Sequence, residues 1–151
     1  MKYLVLVTIV LLTSVVIGCN PLALKPADFG WPVESVLKAD GKGMVQENRY
    51  QLSFNIKPML FAETGDSSNV SVAVRVIRDR AGYYFITAQG FKHVYVFKTG
   101  DGALTLESKI MISEQGMNAP AFNARPPHVQ LLNGSDKPVL LSKGGIQEGG
   151  E

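Results

Sequence analysis

Past position 19 the chain has no cysteine; Cys19 is the only one among 151 residues. A domain without cysteine forms no internal disulfide and no thiolate-bound metal centre, so burial and hydrogen bonding must hold it together. Charge of one sign is equally scarce. Fifteen basic against 13 acidic residues leave a net +2, without the basic stripe that a nucleic-acid surface needs. A sustained helical period is missing after the first twenty residues, and so is any internal repeat, which excludes solenoids. A propeller is excluded by length, since closure needs about four four-stranded blades. Motifs of catalysis are missing as well: there is no G-x-S-x-G elbow and no phosphate loop, and acidic residues stand singly on strands and turns. An enzyme is therefore the weakest class, with no catalytic residue and no cofactor expected.

A long apolar run occurs once. Lys2 precedes a stretch from Tyr3 to Ile17 that is almost wholly apolar apart from Thr8, Thr13 and Ser14. It is shorter than the roughly 20 residues of a bilayer-spanning helix and fits the hydrophobic region of an export signal. The small-residue cleavage site of ordinary secreted proteins is not there. In its place, Val16-Ile17-Gly18-Cys19 resembles the lipobox of bacterial lipoproteins. That resemblance is confined to the first twenty or so residues. It implies transfer of diacylglycerol to Cys19, cleavage after Gly18, and acylation, as by palmitate, of the new amine. Two or three acyl chains, at about 0.8 kcal/mol per buried methylene, anchor a protein firmly where one is marginal. Asn20, in place of an aspartate, implies sorting to the outer membrane if the host is Gram-negative. Without Lys2 the net charge falls to about +1.

The expected organisation is a signal peptide over residues 1–18, a lipidated N-terminus and tether over 19–31, a β domain over 32–143 and a flexible tail over 144–151. The tether carries Pro21, Pro26 and Gly30 and no sustained period. About 130 mature residues suffice for a real core. One short helix is expected at residues 32–38, with Pro32 in its first turn. The pattern then switches to period two. Tyr50, Leu52, Phe54 and Ile56 alternate with polar residues until Pro58, and Val70, Val72, Val74 and Val76 mark a second strand over residues 69–78. Residues 83–88 form a third strand. Residues 91–98, apolar on both faces, read as a central strand. Thr99-Gly100-Asp101-Gly102 is a hairpin signal leading to Leu104, Leu106, Ile110 and Ile112. Two short strands lie near residues 129–132 and 139–141. About seven or eight strands joined by short turns predict an all-β fold, a single antiparallel sandwich or small barrel.

Each candidate site has a structural alternative. His93 and His128 can share a metal only if their strands are neighbours, and no H-x-H spacing supports it, so no metal ligand is assigned. Tyr83 and Tyr95, among Tyr84, Phe85, Phe91 and Phe97, offer a stacking surface, yet aromatics also suit strands as packing. Arg75, Arg78 and Arg80 surround Asp79 and read as a solvated turn. The sequons at Asn69 and Asn133 are incidental behind a bacterial leader. Residues 116–127 form a long irregular stretch with Met117, Phe122 and Arg125, residue types favoured as partner anchors; the alternative is that Phe122 caps the core. The expected function is a membrane-tethered binding or assembly component of the bacterial cell envelope, with an envelope protein as partner. The competing expectation is a small-ligand or metal carrier using the aromatic and histidine face.

Overall fold

The computed structural model describes residues 33–100 and 102–147. The expected signal peptide, Cys19 and the tether lie outside the described residues.

The described residues form eleven antiparallel strands and one short helix. A five-stranded sheet runs in the order β1 (Ser35–Lys38), β4 (Ala73–Arg78), β5 (Tyr83–Ala88), β6 (His93–Gly100), β7 (Ala103–Met111). A four-stranded sheet holds β11 (Gly145–Gln147), β10 (Val139–Ser142), β9 (His128–Asn133) and β8 (Pro120–Arg125), in that order. The remaining pair, β2 (Met44–Glu47) and β3 (Leu52–Asn55), forms a hairpin, followed by α1 (Lys57–Thr64). The described residues are an all-β sandwich, and the sheets do not close into a barrel.

Register explains why β5 is buried at all six positions. Phe85 lies opposite Ile77 and Val96, and Ile86 lies opposite Val76 and Tyr95, so successive residues of β5 belong to opposite faces. The Phe85 face meets the four-stranded sheet, where Phe122, Val129, Leu131 and Leu141 complete the core. The Ile86 face meets β2, β3 and α1, through Val45, Ile56, Met59 and Leu60. With both faces covered, β5 reads as a continuous apolar run. The sequence places that central role one strand later, at residues 91–98. In the structure β6 follows β5, and its last three residues are exposed.

Three further expectations are corrected and one, at Pro58, is extended. Residues 35–38, expected within a helix, form β1, because Ser35 through Lys38 pair with β4 some forty residues on. Pro58 does end the β3 region, but it also starts α1 from its first turn, where a missing N–H costs nothing. Residues 116–127 are not a loop: Pro120–Arg125 is β8, paired residue by residue with β9. Gly145–Gln147, expected in the tail, is β11 and pairs with β10.

The alternation of Leu104, Leu106, Ile110 and Ile112 is also broken. The register of β6 and β7 shifts between Val96 and Phe97, with Phe97 opposite Leu106 and Val96 opposite Ser108. Glu107 is the extra residue of a bulge. Ile110 therefore faces the four-stranded sheet beside Val94, while Leu104 and Leu106 stand on the other side.

Candidate functional site

The densest polar cluster is built on the Ile86 face. Asn55 Oδ1 accepts the Lys57 N–H at 2.9 Å, and Pro58 sits in the first turn of α1. Gly65, at φ 76°, closes the helix with its N–H on Phe61 O, a left-handed conformation that glycine adopts freely. Burial of Met59 and Leu60 turns Glu63 toward the sheet.

There the Glu63 side chain is fully inaccessible to solvent. Its Oε1 accepts the Tyr95 hydroxyl at 2.6 Å and lies 2.9 Å from His93 Nδ1. Its Oε2 accepts the Lys92 N–H at 2.6 Å, and Lys109 Nζ stands 3.7 Å from Oε1. Burial alone would raise the Glu63 carboxyl, but the hydrogen bonds from Tyr95 and Lys92, with His93 beside them, outweigh it and hold it below its ordinary value. Tyr95 moves the other way: burial first, and then its bond to that carboxylate, push the phenol well up. Glu63 is thus an ionised acceptor, and Tyr95 remains a donor. An open cleft of about 270 Å³ adjoins the end of α1, lined by Leu60 and Phe91 with Thr64, Asp66, Asn69 and Gln89.

A second polar cluster holds β1 to the hairpin. Buried Glu47 accepts the Ser35 hydroxyl, and Arg49 Nε donates to Glu47 Oε1 at 3.2 Å. Arg49 and Arg78 both lie near the Tyr50 ring, at 5.5 and 5.8 Å from its centroid. A third contact ties the two sheets together. Glu34 Oε2 pairs with Arg75 at 2.8 Å, while its Oε1 accepts the Phe122 N–H at 2.8 Å.

The candidate residues from the sequence are scattered by the fold. Met117 is 1% exposed and Phe122 3% exposed, so both are packing residues whose side chains a partner cannot reach. The backbone of Met117 bonds to Phe91 O and to the Gly90 N–H, each at 2.8 Å. Gly116 fits there because a Cβ would stand 2.5 Å from Gly90 O. Arg125 is exposed at the tip of the β8–β9 hairpin, 3.5 Å from Gln130. Tyr83 and Tyr95 are both buried and lie on opposite faces of the sheet. Tyr83 meets Lys143 Nζ at 3.1 Å, and Tyr95 meets Glu63. The histidines are separated too, His93 in the five-stranded sheet and His128 in the four-stranded one. Arg75 and Arg78 point to opposite faces, so the basic cluster is a sequence neighbourhood only.

Sequence reasoning missed Glu63, the residue that organises the cluster. The available signal was Pro58 with Gly65 seven residues on, which brackets a two-turn helix. Nothing in one sequence could place that helix over β6. Compared with known protein families, curated proteins and solved structures, the chain matches none.

Proposed function

We propose that the protein is a lipid-anchored component of the bacterial cell envelope, with an all-β domain that binds or assembles with an envelope protein. The observation that carries this reading is Val16-Ile17-Gly18-Cys19 at the end of an apolar leader, ahead of a cysteine-free domain. The first described residue, Val33, follows Cys19 by fourteen positions, enough chain to separate domain from lipid by up to roughly 45–50 Å when extended. The fold adds a reason to prefer a surface binder over an enclosed carrier. Both faces of the central sheet are covered by side chains, and among the described residues the open sandwich encloses no barrel lumen for a ligand. Large apolar residues remain exposed on the outside, among them Phe61 and Leu106.

Lipidation is the first test. Cells expressing the protein and fed labelled palmitate should label the wild type, and Cys19→Ser should give an unlabelled precursor that still carries residues 1–18 by mass spectrometry. Normal maturation of that variant would sink the reading. Contact with a partner is then read by placing a photo-crosslinking residue at Arg125, with Ser53 as the comparison site.

A further inference from the structure

Strand pairing sets His93 of β6 directly opposite Met111 of β7. Directly opposed residues of an antiparallel pair project from the same face with Cβ atoms about 4.5–5.5 Å apart. Packing does not account for this pair. Met111 is 49% exposed, a flexible thioether on a strand, where branched and aromatic side chains are preferred. His93 is 16% exposed, and its Nδ1 is committed to Glu63. Since the Glu63 carboxylate only accepts, Nδ1 is the donor of that bond, and Nε2 is the ring nitrogen left to meet a ligand. Among the described residues Nδ1 is the only ring nitrogen of His93 with a hydrogen-bond partner.

We propose that His93 Nε2 and Met111 Sδ form a surface site for copper(I). The donors decide the metal. An imidazole nitrogen and a thioether sulfur are neutral and polarisable, which suits a soft monovalent ion; hard divalent ions require oxygen ligands. Zinc requires three or four protein ligands, and no group of three histidine, cysteine or acidic residues converges among the described residues. Glu63 acts as the outer carboxylate that fixes ring orientation and raises the basicity of the ligating nitrogen. Lys109 Nζ stands 3.7 Å from the same carboxylate, on the side of β7. Binding transfers no electron and breaks no bond. The site does not depend on the lipid anchor.

The test is an anaerobic titration of full-length protein in detergent against copper(I) bicinchoninate, read by loss of the chelator's colour. Every sample carries Cys19→Ser, so that the one thiol of the chain does not compete for the metal. Wild type is expected to withdraw one equivalent. Met111→Leu, which keeps the volume, and His93→Gln, which keeps a donor to Glu63, are expected to withdraw none, with unchanged circular dichroism. Glu63→Gln should weaken binding by about 10–100-fold, the usual effect of losing an outer-sphere partner. In a second measurement, silver(I) added to methyl-labelled wild type should shift the Met111 methyl resonance ahead of those of Met44, Met59 and Met117. The proposal fails if wild type withdraws no copper, if Met111→Leu withdraws as much as wild type, or if another methionine responds first.

Discussion

Glu63 shows how one side chain can join two layers of a fold. Its carboxylate sits on α1, and every group it meets comes from β6, β7 or the approach to β6. Removing it leaves the Tyr95 hydroxyl and the Lys92 amide without their acceptor. Glu63→Ala is therefore expected to cost about 3–5 kcal/mol, the range for breaking a buried charged contact, measured by urea unfolding. The same residue gives the domain a defined acid sensitivity. Its carboxyl is held below its ordinary value near 4.5. The resulting stabilisation is fully present above that unfolded-state value and is lost as pH falls through the lower folded value. Urea midpoints of wild type should drop between pH 5 and the acid side of that window by more than those of Glu63→Gln. Identical acid profiles for the two proteins would show that the cluster contributes nothing to acid sensitivity.

At the level of elements, β8 separates what packs from what projects. Phe122 is opposite Leu131 within the core, and Arg125 is at the hairpin tip. Phe122→Ala is expected to cost about 3–5 kcal/mol, as for other buried aromatics. Arg125→Ala should stay within about 0.5 kcal/mol, as surface changes do. Thermal unfolding distinguishes them, and equal shifts would place Arg125 in the core network. The strands that were legible in the sequence are those whose own side chains alternate or are wholly apolar: β4 with Val74 and Val76, β5 from Tyr83 to Ala88, and the β6–β7 hairpin with its glycines. Those that were not legible depend on distant partners or on proline. β1 has only four residues, and β4, not a local pattern, makes it a strand. β8 carries Pro120 at its start and is followed by Pro126 and Pro127, which look like breaks. Yet proline is tolerated at the first residue of a strand and on a sheet edge, and β8 is an edge strand. The candidate site was hidden for a related reason. His93 and Tyr95 stood out in the sequence, but their partner Glu63 lies about thirty residues earlier, on a helix that shows no clear periodicity.

For the whole molecule, the consequence of covering the five-stranded sheet on both faces is a hierarchy of stability. Amides of Phe85 and Ile86 lie in a strand paired on both edges and buried on both sides. They should exchange with solvent only through global unfolding, and more slowly than those of β1 and β11 at the sheet edges. Hydrogen exchange followed by NMR checks this. Faster exchange in β5 than in β11 would mean that the two sheets separate before the four-stranded sheet frays.

Glu34 gives the molecule one more property, a mechanical one. It is the second residue of the described chain, just ahead of β1, and its two oxygens hold Arg75 of β4 and the backbone of Phe122 in β8. Under the lipid anchoring proposed above, with residues 19–31 as the tether, tension from the membrane would reach the domain at this point. β1 alone, a four-residue edge strand, would unzip from β4 one bond at a time. Glu34 instead divides the load between the two sheets before it reaches β1, so the domain resists being pulled open from its N-terminal side.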